Sequence, residues 1–416
     1  MYSGHNHPGI PMKYKFSEML GYMKPSEIRE LLKYASMPDF ISFGGGMPNP
    51  LTFPMQDLKE IVDDVLDVSG KYALQYGNTG GLPELRTEIS KMVMKTEGIK
   101  SEENEIIVTS GSQQGLYELG KIFLNRSDGV IVESPTYVGA ISAFNANAGK
   151  MIPVEMDSEG IISDKVEEKL KSLTGRPEFP RFIYVIPNYQ NPTGHTLNLD
   201  RRKHLLELSE KYQVPIVEDN PYGELRYSGK KLPSIKSLDK TGENVIYLGT
   251  FSKVMCPGLR IGYTVAPEAV ISKLNLLKQA LDLSSSTFSQ YVAAEYLKRG
   301  VIYRQVPKTV ELYSKKRNVM LNALEEHFPK DSTWSKPDGG MFIWATLDKK
   351  INTNQMLKTS IENGVGYVSG LAFSPDGSHT SSMRLNFTFS EEEEIVRGIK
   401  KLSNTIKNVA TGITAT

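Results

Sequence analysis

The 416-residue sequence has a single cysteine, almost no net charge and no long apolar segment. Cys256 alone can form neither an internal disulfide nor a cysteine-based zinc site, so we expect a reducing compartment, the cytoplasm. The 49 basic and 48 acidic side chains balance to +1, which leaves no bulk field for nucleic acid or anionic membranes. No window approaches the roughly 18 apolar residues of a membrane-spanning helix. We expect no signal peptide, because the N-terminal segment holds no continuous apolar stretch.

From about residue 105 onward, short apolar runs alternate with helical stretches. The runs that we interpret as strands are Ile106–Thr109, Val130–Val132, Phe182–Ile186, Pro215–Glu218, Val245–Leu248 and Arg260–Val265. The helices predicted between them lie near 113–124, 138–147 and 200–212. Because the apolar runs are continuous rather than alternating, they indicate strands buried on both faces. The sequence therefore predicts an α/β fold with a mainly parallel sheet flanked by helices.

After about residue 295 the pattern changes. A long charged helix over 303–327 is followed by two strands, Phe342–Ala345 and Met383–Phe387, with a helix between them. This pattern predicts a smaller α/β domain, completed by an N-terminal helix after Pro25. The predicted division is 1–45 for the N-terminal arm and helix joining the small domain, 46–295 for the large domain and 296–416 for the small C-terminal domain.

Parallel α/β sheets bind ligands at the carboxyl ends of their strands, so the polar residues that follow each strand are candidate site residues. The turn Ser110–Gly115 enters a helix and can seat a phosphate on backbone N–H groups at the positive end of the helix dipole. It can equally be an ordinary helix start capped by serine. Tyr137 follows the second strand, where its ring can either stack on a planar ligand or pack in the core.

Two further strand ends carry an amide and a carboxylate. Asn191 offers a side-chain donor, although the segment Asn191–Gly194 is also typical of a tight turn. Asp219, within Glu218–Tyr222, needs a partner because a buried unpaired carboxylate is costly. That partner is either a cationic ligand group or a structural salt bridge or helix cap.

The fifth strand leads into a hydroxyl-rich loop that contains Lys253 and then Arg260. A lysine amine that is desolvated or near other cations can form a Schiff base with a carbonyl group, whereas most single lysines are exposed on the surface. Arg260, Thr250 and Ser252 are suited to bind a phosphate. Together the strand ends offer a phosphate turn, a stacking ring, an amide, a carboxylate, a phenol and this lysine. One ligand, pyridoxal 5′-phosphate, matches all of them.

With these motifs the sequence resembles the fold-type I aminotransferases that depend on pyridoxal phosphate (PLP). Within that group it is similar to the branch of 2-aminoadipate and kynurenine (aromatic) aminotransferases. The segments that carry the resemblance are Asn191–Gly194, Glu218–Tyr222, Ser252–Lys253 and Gly258–Gly262. It covers nearly the whole chain, as far as Arg384, and implies a large cofactor domain with a smaller α/β domain.

The resemblance also implies roles for individual residues. Lys253 resembles the lysine that holds the cofactor through a Schiff base, and Asp219 the carboxylate that pairs with the pyridine nitrogen. Asn191 and Tyr222 resemble the two donors to the ring hydroxyl, and Tyr137 the residue stacked on the ring. Of these, Lys253, Asp219 and Tyr222 are the implied catalytic residues. The implied phosphate ligands are Ser112, Gln113, Thr250, Ser252 and Arg260.

Other positions are implied for the substrate and for a partner subunit. Arg384, Asn191 and Gly46 resemble substrate-binding residues. Of these, Arg384 resembles the arginine that binds the substrate α-carboxylate through two hydrogen bonds. Tyr76 resembles a tyrosine that reaches the phosphate of the neighbouring subunit, which implies a homodimer with shared active sites. Arg29 lies in the N-terminal helix expected to cover the pocket, where it can recognise a distal carboxylate or pair with a surface acid.

The implied reaction is transamination of an α-amino acid, such as 2-aminoadipate or an aromatic one, with 2-oxoglutarate as acceptor. A carboxylate beside the pyridine nitrogen keeps the ring protonated as an electron sink, and the freed lysine amine can act as general base. One alternative with the same cofactor is a β-lyase. Another is a non-catalytic aminotransferase-like ligand sensor, which is disfavoured because only about 40 residues precede the Ser42–Gly46 segment, too few for a DNA-binding module.

Other reactive residues have simpler interpretations. His5 and His7 can bind a metal, but two histidines in a terminal segment are weak evidence, and we expect no metal site. Cys256 lies three residues from Lys253, yet no paired histidine is evident, so we expect a bystander thiol. Lys315–Arg317 is expected to be the solvated face of a helix.

The two interpretations of Arg29 can be separated by substrate choice. If Arg29 binds a distal carboxylate, Arg29→Ala should lower activity with 2-aminoadipate and leave activity with phenylalanine nearly unchanged. The measurement is kcat/KM for both donors with wild type and variant. Equal losses for the two donors would contradict the carboxylate role.

Overall fold

The structure of the chain is a computed structural model, which describes residues 14–23, 27, 31, 33–34 and 39–411. Arg29, His5, His7 and the start of the helix predicted after Pro25 lie outside these residues. Within them the strands form an eight-stranded sheet, a four-stranded sheet and a two-stranded sheet.

The strands of the described chain are spread from residue 41 to residue 386. They are β1 (Ile41–Ser42), β2 (Ile106–Thr109), β3 (Gly129–Ser134), β4 (Lys150–Asp157), β5 (Gly160–Ile161), β6 (Pro180–Val185), β7 (Ile216–Asp219), β8 (Val245–Thr250), β9 (Gly262–Val265), β10 (Thr333–Trp334), β11 (Phe342–Thr346), β12 (Val365–Gly366), β13 (Val368–Ser369) and β14 (Ser382–Asn386).

The α-helices lie between and around these strands. They are α1 (Met55–Ala73), α2 (Pro83–Glu97), α3 (Ser112–Phe123), α4 (Val138–Asn145), α5 (Ser163–Leu173), α6 (Leu199–Tyr212), α7 (Ile235–Leu238), α8 (Glu268–Leu281), α9 (Thr287–Lys298), α10 (Val301–His327), α11 (Thr353–Glu362) and α12 (Glu392–Ala410).

The α/β fold predicted from the sequence is confirmed, and each strand and helix predicted after residue 105 is present with ends within about two residues. In β3, Val130 belongs to one apolar cluster and the next residue, Ile131, to another, so the two faces of the sheet are both buried. Because both faces are buried, consecutive residues of these strands are apolar, and the strands appear in the sequence as continuous apolar runs. The sequence analysis made no assignment for α1, α2 or β4.

The large sheet has the strand order β2-β9-β8-β7-β6-β3-β4-β5. Neighbours from β8 to β4 are parallel, whereas β9 runs antiparallel to both β2 and β8. The start of β9 therefore lies beside the ends of its two neighbours, and Gly262 pairs with both Thr109 and Thr250. Arg260, predicted to lie in this strand, instead precedes it with a left-handed φ of 55°.

The four-stranded sheet is antiparallel, with the order β10-β11-β14-β13. Strand β1, although it comes from the N-terminal part of the chain, pairs in parallel with β12. We propose the domain division 1–45, 46–295 and 296–416, and the pairing of β1 with β12 supports placing the N-terminal segment with the small domain.

A buried arginine fixes the loop that follows β6. Arg202 of α6 is fully buried, and its guanidinium donates to the carbonyl oxygens of Leu197, Pro233 and Pro187, each at 2.9 Å, and to Asn188 Oδ1 at 2.6 Å. Charged donors held by several acceptors are rigidly placed. The segment that carries Asn191 is therefore anchored from the helix side. Among the described residues, no helix combines the length and apolarity needed to cross a membrane.

Candidate active site

A cavity of about 280 Å³ lies at the carboxyl ends of β6, β7 and β8. Of the predicted site residues that the structure describes, its lining includes all except Tyr76. The lining residues are Gly46, Ser112, Gln113, Tyr137, Ile186, Asn191, Asp219, Pro221, Tyr222, Thr250, Ser252, Lys253, Pro257, Arg260, Phe342 and Arg384. A larger surface cavity of about 730 Å³ borders α1, α2 and α9, but none of the predicted residues lines it. The convergence of polar side chains, not the volume, identifies the smaller cavity as the candidate site.

One end of the cavity is built to hold an anion. The antiparallel course of β9 brings Arg260 against the turn before α3, where its Nη2 donates to the carbonyl oxygen of Ser110 at 3.4 Å. Backbone N–H groups at the start of α3 have no intrahelical acceptor and favour anionic ligands. The hydroxyl of Thr250 donates to Ser252 Oγ at 3.1 Å and completes a polar rim.

Two glycines allow this close packing. Gly111 has a φ of 80°, and a Cβ there would lie 2.6 Å from Arg260 Nη2. A Cβ on Gly262 would lie 2.6 Å from the backbone of Gly111 and of Ser112. Only residues without a side chain therefore allow the turn, β9 and the arginine to meet.

Lys253 reaches into the cavity from the loop after β8. Its Nζ donates to the carbonyl oxygen of Gly46 at 2.7 Å. Burial, together with the nearby cations Arg384 and Arg260, lowers the pKa of Lys253 to about 8. A lysine with this pKa has a substantial neutral, nucleophilic fraction near pH 7.

Asp219 is the last residue of β7 and is almost completely buried. Its Oδ2 accepts a hydrogen bond from the Tyr184 hydroxyl at 2.8 Å, whereas its Oδ1 is buried without a partner. Burial raises the pKa of Asp219 to about 7, and the bond from Tyr184 opposes that rise. The salt bridge or helix cap considered for this residue is absent from the hydrogen bonds and ion pairs of the described chain. Oδ1 is therefore available to a cationic ligand group.

The sequence analysis missed Tyr184, although β6 carries it beside β7. The available signal was a hydroxyl group inside an otherwise apolar run, since a buried phenol needs a polar partner. That the partner is Asp219 depends on β6 and β7 being neighbours, which sequence order alone does not state.

A chain of hydrogen bonds connects three predicted residues. Asn191 Nδ2 donates to the Tyr222 hydroxyl oxygen at 3.1 Å, and Arg384 Nη1 donates to Asn191 Oδ1 at 3.0 Å. The phenol of Tyr222 keeps its own hydrogen for a group in the cavity. The order Arg384–Asn191–Tyr222 therefore links the substrate-binding and ring-binding positions that the resemblance implied.

Arg384 is fully buried in β14 and is held mainly by backbone and aromatic groups. Its Nη2 donates to the Gly44 carbonyl oxygen at 2.7 Å, and its guanidinium lies 4.1 Å from the ring centre of Phe342 and 5.0 Å from that of Phe373. Burial lowers the pKa of Arg384 to about 10, and the nearby phenols of Tyr222 and Tyr137 oppose this. Its Nε is buried without a partner, so the arginine retains capacity to bind a carboxylate.

Tyr137 precedes α4 and lies close to the start of α3. Its hydroxyl donates to Gln113 Oε1 at 3.5 Å, and Gln113 Nε2 donates to the Gly139 carbonyl oxygen at 2.8 Å. Burial, and next the charge of Asp219, raises the pKa of Tyr137. The side chain lines the cavity as predicted, and its phenol stays neutral at physiological pH.

A buried acid–amide pair that the sequence analysis missed fixes the loops on both sides of the site. Gln190 Nε2 donates to Glu133 Oε2 at 3.1 Å and to the Pro135 carbonyl oxygen at 2.9 Å. Burial raises the pKa of Glu133 to about 8. The loop bearing Tyr137 is thereby tied to the loop bearing Asn191.

Two predicted or weighed residues, Tyr76 and Cys256, are not part of the cavity lining. Tyr76 is 84% exposed in this chain and does not line the cavity. Arg29 lies outside the described residues. Cys256 is partly buried, and burial raises the pKa of its thiol, which disfavours the nucleophilic thiolate. Among the residues described, no group of three or more histidine, cysteine or acidic side chains could hold a metal ion.

The residues fit PLP at each of its functional groups. The anion seat beside Arg260 fits the phosphate, the unpartnered Oδ1 of Asp219 fits a protonated ring nitrogen, and the free phenolic hydrogen of Tyr222 fits the ring oxygen. Lys253 supplies the amine for the aldehyde.

Comparison with known proteins agrees with this chemistry. Residues 43–402 match the family model for "Aminotransferase class I and II". The chain is 45% identical to the aromatic-amino-acid aminotransferase 1 of Thermococcus litoralis over 96% of each chain. It is 36% identical to the 2-aminoadipate transaminase of Thermus thermophilus, over 95% of this chain and 97% of the relative. The crystal structure of the Pyrococcus horikoshii kynurenine aminotransferase is similar, with a TM-score of 0.91, 44% identity and coverage of 96% and 98%.

The lowered pKa of Lys253 can be measured by amine acylation in protein freed of bound coenzyme. We expect the labelling rate of Lys253 to rise with a midpoint near pH 8, because burial and two cations disfavour the ammonium form. Arg384→Met should raise this midpoint, whereas Arg384→Lys, which keeps the charge, should change it less. The readout is peptide mass spectrometry across pH. A midpoint above 10 in the wild-type protein would contradict the electrostatic description.

Proposed function

Because the chain belongs to the aminotransferase class I and II family, we propose that it transfers the amino group of 2-aminoadipate, kynurenine or an aromatic amino acid to 2-oxoglutarate. The chain is an aminotransferase with PLP as its cofactor. The observation that carries the proposed chemistry is the unpartnered, buried Oδ1 of Asp219, which lies in one cavity with Lys253 and Arg384.

When bound, PLP supplies an aldehyde and an electron-withdrawing ring that stabilises negative charge on the substrate α-carbon. Lys253 would hold the cofactor through Nζ, and the same amine would serve as the base that accepts the proton of the substrate α-carbon. A pKa near 8 suits this role, because an effective general base titrates close to the working pH.

Asp219 keeps the ring nitrogen protonated. Its raised pKa reflects burial in the absence of an ionic partner, and a cation at Oδ1 would favour the carboxylate form again. Tyr184 holds Oδ2, so Oδ1 is fixed in direction. The aspartate thus offers one oriented negative charge in a site from which water is excluded.

Arg384 binds the substrate α-carboxylate, and Asn191 orients it. A guanidinium can hold a carboxylate with two parallel hydrogen bonds and so fixes the plane of that group. By fixing the carboxylate, Arg384 would orient the substrate so that the bond from the α-carbon to hydrogen, and not the bond to the carboxylate, is the one presented for cleavage. Gly46 lines the cavity and carries no side chain, so the space beside it is left to the substrate, although a Cβ there would make only an ordinary contact, 3.6 Å from Phe342.

In this proposal the phosphate is bound by five residues, which are Ser112, Gln113, Thr250, Ser252 and Arg260. Tyr137 stacks on the ring.

Tyr76 acts in the neighbouring subunit of a homodimer. Its 84% exposure supports this role, because a tyrosine so far out of the core is available to a partner chain. Arg29 is proposed to contact the substrate side chain, and the single cysteine supports a cytoplasmic location.

The function is tested by a panel of amino donors with 2-oxoglutarate, read out as glutamate formed. We expect 2-aminoadipate and aromatic amino acids to be donors. Asp219→Ala should lower turnover by several powers of ten, because it removes the charge that keeps the ring nitrogen protonated.

Tyr184→Phe is the matched control, since it removes one hydrogen bond to Asp219 and leaves the carboxylate in place. Its loss should be much smaller, roughly tenfold. Asp219→Ala at near wild-type rates would mean that the carboxylate is misassigned. Formation of ammonia and pyruvate without glutamate from suitable donors would indicate a β-lyase, and donor binding without any product would indicate a sensor.

Shared active sites can be tested with differently tagged subunits. Tyr76→Ala and Lys253→Ala each damage every site of their own homodimers. In a heterodimer, one site receives both defects and the other receives none, so about half of the wild-type activity should return. Purified heterodimers that remain inactive would contradict the placement of Tyr76 in the neighbouring site.

A further inference from the structure

A buried polar cluster lies behind the turn that precedes α3 and outside the cavity lining. It consists of a lysine, two acids, an amide and two hydroxyl groups, which are Lys278, Glu118, Asp282, Gln114, Ser110 and Ser285. The side chain of Lys278 has no exposed surface. None of the roles proposed above uses it.

Lys278 is completely occupied by acceptors. Its Nζ lies 2.8 Å from each carboxylate oxygen of Asp282, 3.1 Å from Gln114 Oε1 and 3.0 Å from Ser285 Oγ. An ammonium group has three hydrogens and no acceptor, so these contacts use its whole bonding capacity. A buried lysine without them would be strongly unfavourable.

The same acceptors hold Ser110. Its backbone N–H donates to Gln114 Oε1 at 2.5 Å, and its hydroxyl oxygen lies 3.2 Å from Asp282 Oδ2 and 3.1 Å from Ser285 Oγ, one of which accepts its single hydrogen. The Ser110 carbonyl oxygen accepts from Arg260 on the cavity side. All the hydrogen-bonding groups of Ser110 are therefore engaged, two of them by groups that Lys278 holds.

Fixing Ser110 also fixes the direction of the helix start beside it. Gly111 and Ser112 follow directly, and Gly111 is already in contact range of Arg260 and β9. Ser112 and Gln113, the first residues of α3, line the cavity, so the direction of their N–H groups depends on the orientation of this turn. The polar cluster holds the N–H and hydroxyl groups of Ser110 on the side away from the cavity, and Arg260 holds its carbonyl oxygen on the cavity side.

Glu118, the second acid of the cluster, adds no charge to it near pH 7. Neither of its carboxylate oxygens has a hydrogen-bond partner, and burial raises its pKa to about 8 despite the attraction of Lys278. At pH 7 it is mainly protonated, so the charges of Lys278 and Asp282 cancel. The cluster therefore acts on the turn through geometry rather than through a net field.

We propose that Lys278 is a positioning residue for the cofactor phosphate. Through Asp282, Gln114 and Ser285 it holds Ser110 so that α3 presents its first N–H groups to the phosphate. The inference rests on the proposed function, because it takes this turn as the phosphate seat. Lys278 touches neither the ring nor the amine end of the site, so its effect is confined to the phosphate.

The test compares Lys278→Met with wild type in full-length protein freed of cofactor. Each is titrated with PLP and with pyridoxal, which lacks the phosphate, and binding is followed by visible absorbance. We expect the preference for PLP over pyridoxal to fall by about tenfold or more in the variant, as for a lost charged hydrogen-bond network. Affinity for pyridoxal should be nearly unchanged.

Lys316→Met is the matched control. Within Lys315–Arg317, expected to be a solvated helix face, the structure instead buries Lys316, so that expectation is wrong for this residue. The Lys316 side chain is about as buried as that of Lys278 and donates to the Ser390 carbonyl oxygen at 2.7 Å. This variant should lose stability without changing the preference for PLP. If Lys278→Met does not fold, Asp282→Asn provides the same comparison, because the Asp282 side chain is 27% exposed and better tolerates change.

Two results would overturn the inference. If Lys278→Met or Asp282→Asn weakens PLP and pyridoxal equally, or keeps the wild-type preference, the cluster has only a structural role. If wild type itself shows no preference for PLP over pyridoxal, the phosphate seat of the proposed function is wrong as well. The wild-type titration therefore separates the failure of this inference from the failure of its premise.

Discussion

The site depends on one costly arrangement, a carboxylate buried at the end of a parallel strand with one oxygen left without a partner. Asp219 Oδ1 has no hydrogen bond, and burial raises the pKa of the group to about 7. A protein that only needed a stable core would fill this position with an apolar side chain or pair the acid. The cost is offset when a cationic ring nitrogen binds, so the unfavourable free state and the affinity for that ring have the same physical origin.

The same desolvation acts on the cations of the cavity. Burial lowers the pKa of Lys253 to about 8 and that of Arg384 to about 10, and the charges of Arg384 and Arg260 further disfavour the charged form of Lys253. The cavity thus combines one acid that has no ionic partner with three cations, Lys253, Arg260 and Arg384, whose hydrogen bonds within the described chain go to neutral oxygens. A ligand with two negative groups, one cationic nitrogen and one carbonyl group satisfies this pattern. Electrostatic preorganisation, rather than shape alone, selects the ligand.

Much of this site could be predicted from the sequence because the polar residues follow buried strands. Asp219 ends one strand, Asn191 and Lys253 each follow the end of an apolar run in the loop after it, and carboxyl ends of parallel strands share one edge of the sheet. The contact of Arg260 with the turn at Ser110 could not be predicted in the same way. It requires β9 to run antiparallel between β2 and β8, and strand order in a sheet is not encoded by local pattern.

The residues that the sequence analysis missed have a common property. Tyr184, Glu133, Gln190, Arg202 and Lys278 are polar side chains that hold other polar groups and carry no chemistry of their own in the proposed reaction. In a sequence, a buried lysine or glutamine cannot be distinguished from the many exposed ones, because burial depends on neighbours distant in the chain.

These buried polar residues explain how loops can form a precise site. The segments after β2, β3 and β6 carry the ligand-binding groups, and loops are otherwise the most mobile parts of a fold. Each is anchored from the protein side by a buried polar group: Lys278 behind Ser110, Glu133 beside Gln190, and Arg202 behind Pro187. Directional hydrogen bonds fix orientation in a way that apolar packing does not. The positions of the binding groups therefore depend on buried polar side chains that lie outside the cavity lining.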